Sequence, residues 1–207
     1  MNINDVEINN EPLPTDIWKA IFSRQRELAE KYSEIEGMGT LLQETHKNIQ
    51  TSFGQRWIKD FAWRVTEEIT EALEAKKQIA FASSELVEQL SLHYQEEMID
   101  ALHFLTELTI IAGYDEKLFS HSVLPDLTPM NEWEIVYRLG LMCNCLKNKP
   151  WKQTQMMTDT SKFEEYLRQT WLYYIQVMFK QGITILDIYD LYFKKNAVNK
   201  FRIRSKY

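Results

Sequence analysis

The chain has 207 residues, 44% hydrophobic and 26% charged, with 24 Lys and Arg against 30 Asp and Glu, a formal net charge of −6. That length and apolar share fit one domain with a sizeable core, and the acidic balance excludes a nucleic-acid-coating surface. The longest apolar runs fall short of the roughly 18 residues a membrane-spanning helix needs, and two cysteines with four scattered histidines (His46, His93, His103, His121) argue against a zinc site.

Gly and Pro are scarce, at six and five. Apolar residues recur close to the helical period throughout, so the expected fold is all-α, a bundle of about six helices with an inserted helical segment. Met1 to Pro14 is polar and acidic, without the apolar stretch of a secretory signal. The first helix is expected at 16–35, N-capped by Thr15, with Ile17, Ile21, Leu28 and Tyr32 as its stripe and Gly37 and Gly39 at its end. A polar stretch, 40–54, closes at Gly54. The second helix, 55–81, carries Trp57, Phe61, Val65, Ile69, Leu73 and Phe81. The third, 84–112, opens on Ser83, Ser84 and Glu85 and carries Leu86, Leu90, Tyr94, Met98, Ala101, Leu105 and Leu108.

A connection with Pro125 and Pro129 follows. The fourth helix, 131–147, opens on Asn131 and Glu134 as a capping box. Cys143 and Cys145 lie about 200° apart on it and cannot pair, which points to a reducing, cytoplasmic setting. Lys147-Asn148-Lys149-Pro150-Trp151-Lys152 is a basic loop. The fifth helix, 161–181, opens on Ser161 and Glu164 and ends at Gly182; the sixth, 184–199, opens on Thr184 and carries Ile188, Leu191 and Tyr192. Lys194 to Tyr207 is a basic tail without an acid. The expected organisation is a single domain over 1–207, with core helices at 15–113 and 161–199 and an inserted, mobile segment at 114–160.

Two acidic steps stand out, Glu68-Ile69-Thr70-Glu71 and Glu97-Met98-Ile99-Asp100. Three residues on a helix turn through about 300°, so both carboxylates of a step emerge from one face. A lone step of this kind is ordinarily a solvated face. Here it occurs twice, beside apolar stripes, on helices that a short connection makes antiparallel, and Glu67 and Glu96 add to the density. Crowded carboxylates need a cation, and hard oxygen ligands suit Mg²⁺ or Mn²⁺.

The pattern Glu67-Glu68-x-x-Glu71 followed by Glu97-x-x-Asp100 resembles the signature of the all-α nucleoside triphosphate pyrophosphatases, a group that includes the dimeric dUTPases, the MazG-type enzymes and the phage dCTP/dUTP pyrophosphatases. Asp100-Ala101-Leu102-His103-Phe104 is similar to the family's D-x-x-H-F segment, Gln25-x-x-Leu28 to its first-helix motif, and Tyr192-x-x-Lys195-Asn196-x-x-Asn199-x-x-Arg202 to the C-terminal run of dimeric dUTPases. The resemblance implies Glu68, Glu71, Glu97 and Asp100 as metal ligands, with Glu68 or Glu71 as the proton acceptor. It implies Lys195, Asn196, Asn199 and Arg202 as phosphate or sugar contacts and Gln25 at the base. Glu67, Glu96, His103 and Lys152 are assigned supporting roles around that site.

The chain departs from the dUTPase pattern at Ala29, where Asn is usual, and between Leu73 and Ser84, which lacks the family's Trp; a Trp-Lys pair stands at Trp151-Lys152 instead. The implied function is Mg²⁺-dependent hydrolysis of a deoxynucleoside triphosphate to monophosphate and pyrophosphate. The substrate is dUTP first, then dCTP or another dNTP, in a cytoplasmic homodimer (the host's cytoplasm for a phage gene) without nucleic-acid or membrane partners. Three other readings stand beside it: a pyrophosphatase for a modified or non-pyrimidine dNTP, a non-enzymatic acidic helical module that binds a basic partner, and a di-iron bundle, for which the Glu-x-x-His pairs are lacking.

Overall fold

The computed structural model describes residues 6, 13–43, 45–120, 122, 128–149 and 151–205; Pro125, Pro150, His121, Tyr207 and most of the polar N-terminus lie outside them. Among the described residues there are seven α-helices and no strand: α1 (Ile17–Glu36), α2 (Thr45–Asn48), α3 (Ser52–Ile79), α4 (Ser84–Ile111), α5 (Glu132–Cys145), α6 (Thr160–Lys180) and α7 (Ile185–Ser205), with a 3₁₀ turn at Glu116–Leu118. No helix among them is long and apolar enough to cross a membrane.

The centre is the hairpin of α3 and α4, two 28-residue helices joined by residues 80–83 and packed along their length. Ile58, Phe61, Val65, Ile69 and Ala72 of α3 meet Tyr94, Met98, Ala101, Leu102 and Leu105 of α4 in the core. From Leu105 to Ile111 every residue of α4 is buried. α1, α2, α3 and α7 pack against α4, and side chains of α6 reach it as well. Trp171 of α6 stacks on Phe119 with ring centroids 4.2 Å apart, and its indole N–H donates to Thr109 Oγ1 at 2.9 Å. The Tyr174 hydroxyl donates to the Met98 carbonyl at 2.8 Å. Each large ring thus fills the core and satisfies its polar atom. α5 packs on α6 and α3.

Helix boundaries differ from the expected ones where a cap was chosen differently. Asp16, not Thr15, caps α1, its carboxylate accepting from the Lys19 N–H at 2.9 Å. Asp159 caps α6 through the Lys162 N–H at 3.1 Å, in place of Ser161 with Glu164. Carboxylates accept more strongly than hydroxyls at a helix N-terminus. Asn131 caps α5 without a side-chain bond. Gly54 lies in the first turn of α3, not at the end of a loop: Thr51 Oγ1 accepts its N–H at 3.0 Å, and a Cβ there would meet the Asn48 backbone. Only glycine lets α2 approach α3 this closely. Phe81 lies beyond the end of α3 and is 87% exposed. α7 continues six residues past the expected 199, with Arg202 and Arg204 in its last turn, where cations suit the helix dipole.

Candidate active site

The acidic steps meet where the middles of α3 and α4 face each other. Carboxylate oxygens of Glu68, Glu97 and Asp100 all lie within 4.8 Å of one another. Glu71, one turn further along α3, is exposed and outside this cluster. Glu67 points away as well and accepts from the Trp63 indole at 2.7 Å. Glu96 is half-buried beside Glu97. Glu97 is met by His93 Nδ1 at 3.0 Å.

The convergence of the acids raises the proton affinity of Glu68 and Asp100. Burial, then a hydrogen bond to Glu97 and the charges of Asp100, Glu97 and Glu71, push Glu68 up to about 8. Burial also raises Asp100, to about 6, against the opposing pull of Lys195, whose ammonium on α7 lies 2.6 Å from Asp100 Oδ2. The donor set is therefore all oxygen, anionic and held close together. It fits a hard divalent cation, and Lys195 supplies part of the positive charge the cluster lacks.

Beside the acids a cavity of about 260 Å³ opens between α1, α3, α4 and α7. Glu68 and Asp100 line one side of it, Asn199 and Arg202 of α7 another, and Gln25, His103 and Glu107 its floor. Gln25 is buried and its amide bonds to three side chains. Its Nε2 donates to Glu107 Oε2 at 2.8 Å, and its Oε1 accepts from the Tyr192 hydroxyl at 2.6 Å and pairs with His103 Nδ1 at 2.8 Å. His103 stacks on Tyr192, ring centroids 4.2 Å apart.

Since Gln25 Oε1 can only accept, His103 Nδ1 carries the proton and its Nε2 is an acceptor. Burial and the Lys195 charge keep the ring neutral, its pKa pushed down to about 3. Glu107 is pushed up to about 8 by burial, and with Oε2 accepting from Gln25 its proton belongs on Oε1. His103 Nε2 and Glu107 Oε1 are both buried and without a hydrogen-bond partner.

Of the other residues singled out in the sequence, Asn196 is buried against the bundle and Lys152 is exposed; Lys152 lines a different hollow near the start of α3. Besides Glu36, two cavity residues carried no motif. Arg64 is held bidentately by Glu36 of α1, at 3.1 and 2.6 Å, and its guanidinium lies 4.6 Å from the Phe61 ring centroid. Glu107 is the other. Their signal is periodicity: Arg64 precedes Glu68 by one turn, and Glu107 follows His103 by one turn, so each continues the face of a singled-out residue.

An all-helical bundle that sets an acid cluster on a helical hairpin, next to a polar cavity, is the architecture of the all-α nucleoside triphosphate pyrophosphatases. The family model described as dUTPase matches residues 17–207, and the chain belongs to that family. Membership supports a nucleotide pyrophosphohydrolase acting on dUTP or a related dNTP. No curated protein and no solved structure matches the chain.

Proposed function

We propose that the protein hydrolyses a deoxynucleoside triphosphate, dUTP by preference, to the monophosphate and pyrophosphate with Mg²⁺. The observation that carries this reading is the convergence of Glu68, Glu97 and Asp100 within 4.8 Å at the mouth of a cavity lined by Arg64 and Arg202. Glu68, Glu97 and Asp100 would hold the ion, with exposed Glu71 one turn away completing the set; Mn²⁺ suits the same oxygens. When bound, the ion neutralises triphosphate charge and acidifies a water.

The chain's own groups do the rest. Glu68, or Glu71, takes the proton of the attacking water. The water oxygen bonds to the α-phosphorus, the bond from that phosphorus to the bridging oxygen breaks, and pyrophosphate departs. Lys195, paired with Asp100 in the metal-free fold, would be free to stabilise the charge on the leaving phosphates together with Arg202 if a cation took over that carboxylate. Asn196 and Asn199 of the same helix are assigned to the substrate's sugar and phosphates. Gln25 acts by positioning: it fixes the tautomer of His103 and the proton of Glu107. His103 Nε2 as acceptor and Glu107 Oε1 as donor complement the N3–H and adjacent carbonyl of uracil. The amino group and N3 of cytosine offer the same order of donor and acceptor, which makes dCTP the next candidate. The reading includes a cytoplasmic homodimer.

Pyrophosphate release from each common NTP and dNTP, with Mg²⁺ and with EDTA, tests the proposal. The expected result is Mg²⁺-dependent release with dUTP fastest. Release from none of them, or equal release with EDTA, would overturn it.

A further inference from the structure

A second cavity, of about 470 Å³, lies at the start of α3 between that helix and the basic loop after α5. Its walls include Phe53, Arg56 and Lys59 of α3 and Lys149 and Trp151 of the loop. A smaller hollow of about 300 Å³ shares Lys149 and adds Lys152 and Thr154. No carboxylate lines either one among the described residues.

The loop is bolted in place. Asn148 N–H donates to Gln55 Oε1 at 2.9 Å, its Nδ2 donates to the Gln50 carbonyl at 2.8 Å, and its Oδ1 accepts from the Met156 N–H at 2.7 Å. Gln55 also donates to Thr158 Oγ1 at 3.1 Å. Gln55 and Asn148 are both buried. These bonds fix Asn148, and with it the adjoining Lys149, beside the start of α3.

Three cations therefore face one space in a protein of net charge −6. Arg56, Lys59 and Lys149 form no ion pair among the described residues. Arg56 lies 5.4 Å from the Phe53 ring centroid, and Lys59 Nζ donates to the Leu146 carbonyl at 2.9 Å. Burial and nearby Lys149 push Lys59 down to about 8. Like charges gathered this way cost free energy unless an anion joins them. The first turn of α3 adds the positive end of its dipole. Two exposed rings complete the walls: Trp151 is 76% and Phe53 43% exposed. Cations beside open aromatic faces suit a ligand with phosphates and a planar base.

We propose that this cavity is a second nucleotide site, which takes a free nucleoside phosphate with its phosphates on Arg56, Lys59 and Lys149 and its base against Trp151. It is not the acid cavity reached from another side. The two share no lining residue, and the twelve residues of α3 from Arg56 to Glu68 span about 18 Å. The substrate or product of the pyrophosphohydrolase reaction has the right chemistry, so occupancy would report nucleotide level to the enzyme. A single open pocket with one exposed indole suits one nucleotide; a strand would need repeated stacking positions.

The test is photolabelling of the full chain in EDTA with 5-azido-dUTP, followed by peptide mapping, with Lys149→Glu and Trp151→Ala as variants. Trp151 is exposed, Lys149 is only partly buried, and neither belongs to the hydrophobic core, so circular dichroism should be unchanged. The expected result is label on the 149–155 peptide, competed by unlabelled dUTP, and weakened about tenfold or more in Lys149→Glu, as loss and reversal of a phosphate-facing charge implies. Label confined to peptides of the acid cavity would overturn the proposal. So would competition by inorganic pyrophosphate as strong as by dUTP, or tighter competition by a single-stranded oligonucleotide. The assay contains no Mg²⁺ and no turnover, so its outcome is independent of whether hydrolysis is found.

Discussion

The ammonium of Lys195 lies 2.6 Å from Asp100 Oδ2, and both side chains are largely buried. The pair links α7 to α4 at the edge of the acid cluster. Without another cation, Lys195 is the main counter-charge of Asp100. Lys195→Met should therefore destabilise the metal-free protein by about 1–3 kcal/mol, since it leaves a half-buried carboxylate unpaired. Saturating Mg²⁺ should recover most of that loss. Urea unfolding in EDTA and in Mg²⁺ measures both; an equal loss in the two conditions would refute the exchange of Lys195 for a metal.

Glu68→Gln should have the opposite sign in EDTA. The metal-free fold holds Glu68 protonated up to about 8, and Gln mimics that form without the cost of proton uptake, so the metal-free unfolding midpoint near neutral pH should rise slightly, by a few tenths of a kcal/mol or more. The further rise that Mg²⁺ gives the wild type should largely disappear. A variant whose midpoint still responds to Mg²⁺ like the wild type would place the ion elsewhere.

Glu71 is exposed and lies outside the cluster of Glu68, Glu97 and Asp100. If it completes the metal set, Glu71→Gln should abolish pyrophosphate release, a loss on the order of a hundredfold or more, with the helical circular dichroism intact. Wild-type release from this variant would remove Glu71 from the site and leave the other three in it.

Glu107 makes stability depend on pH. Its ordinary value is 4.5, and in the fold it is pushed up to about 8 by burial and the Glu36 charge, against the Gln25 hydrogen bond and Arg64. Between those values the native state holds a proton that the unfolded chain has released. Stability therefore falls as pH rises from about 4.5 to about 8. Glu107→Gln mimics the protonated form, so it should flatten this slope and raise the midpoint at pH 8 relative to the wild type. Parallel pH profiles for the two proteins would show that Glu107 is ionised in the fold.

Gln25 satisfies three side chains from α4 and α7 at once. Gln25→Ala should cost about 2–4 kcal/mol, because buried groups on Glu107, His103 and Tyr192 lose their partner. It should also blur the preference between dUTP and dCTP, read as the ratio of kcat/KM. A destabilised variant with unchanged preference would confine Gln25 to the bundle's stability.

Much of this was legible in the sequence because it is local. Apolar residues at helical spacing marked the α3–α4 hairpin and its flanking helices, and each acidic step is a one-turn relation that needs no tertiary information. The caps are less legible. Asp16 and Thr15, or Asp159 and Ser161, are neighbouring candidates, and the choice between them depends on how the incoming chain packs.

What only the tertiary structure decided is which groups meet across helices. Glu68 and Glu71 are equivalent in their motif, yet α4 passes close to one and leaves the other in water. Gln25 is a polar helix residue until α4 and α7 close around it and take up its amide. Arg64 and Glu107 carry no motif; they continue the faces of Glu68 and His103, but the cavity they line exists only because α1 and α7 supply its other walls. The acid pairs and the helices that present them are properties of neighbouring residues and the helical repeat. The site is a property of distances between helices remote in sequence, which packing of the shared core alone determines.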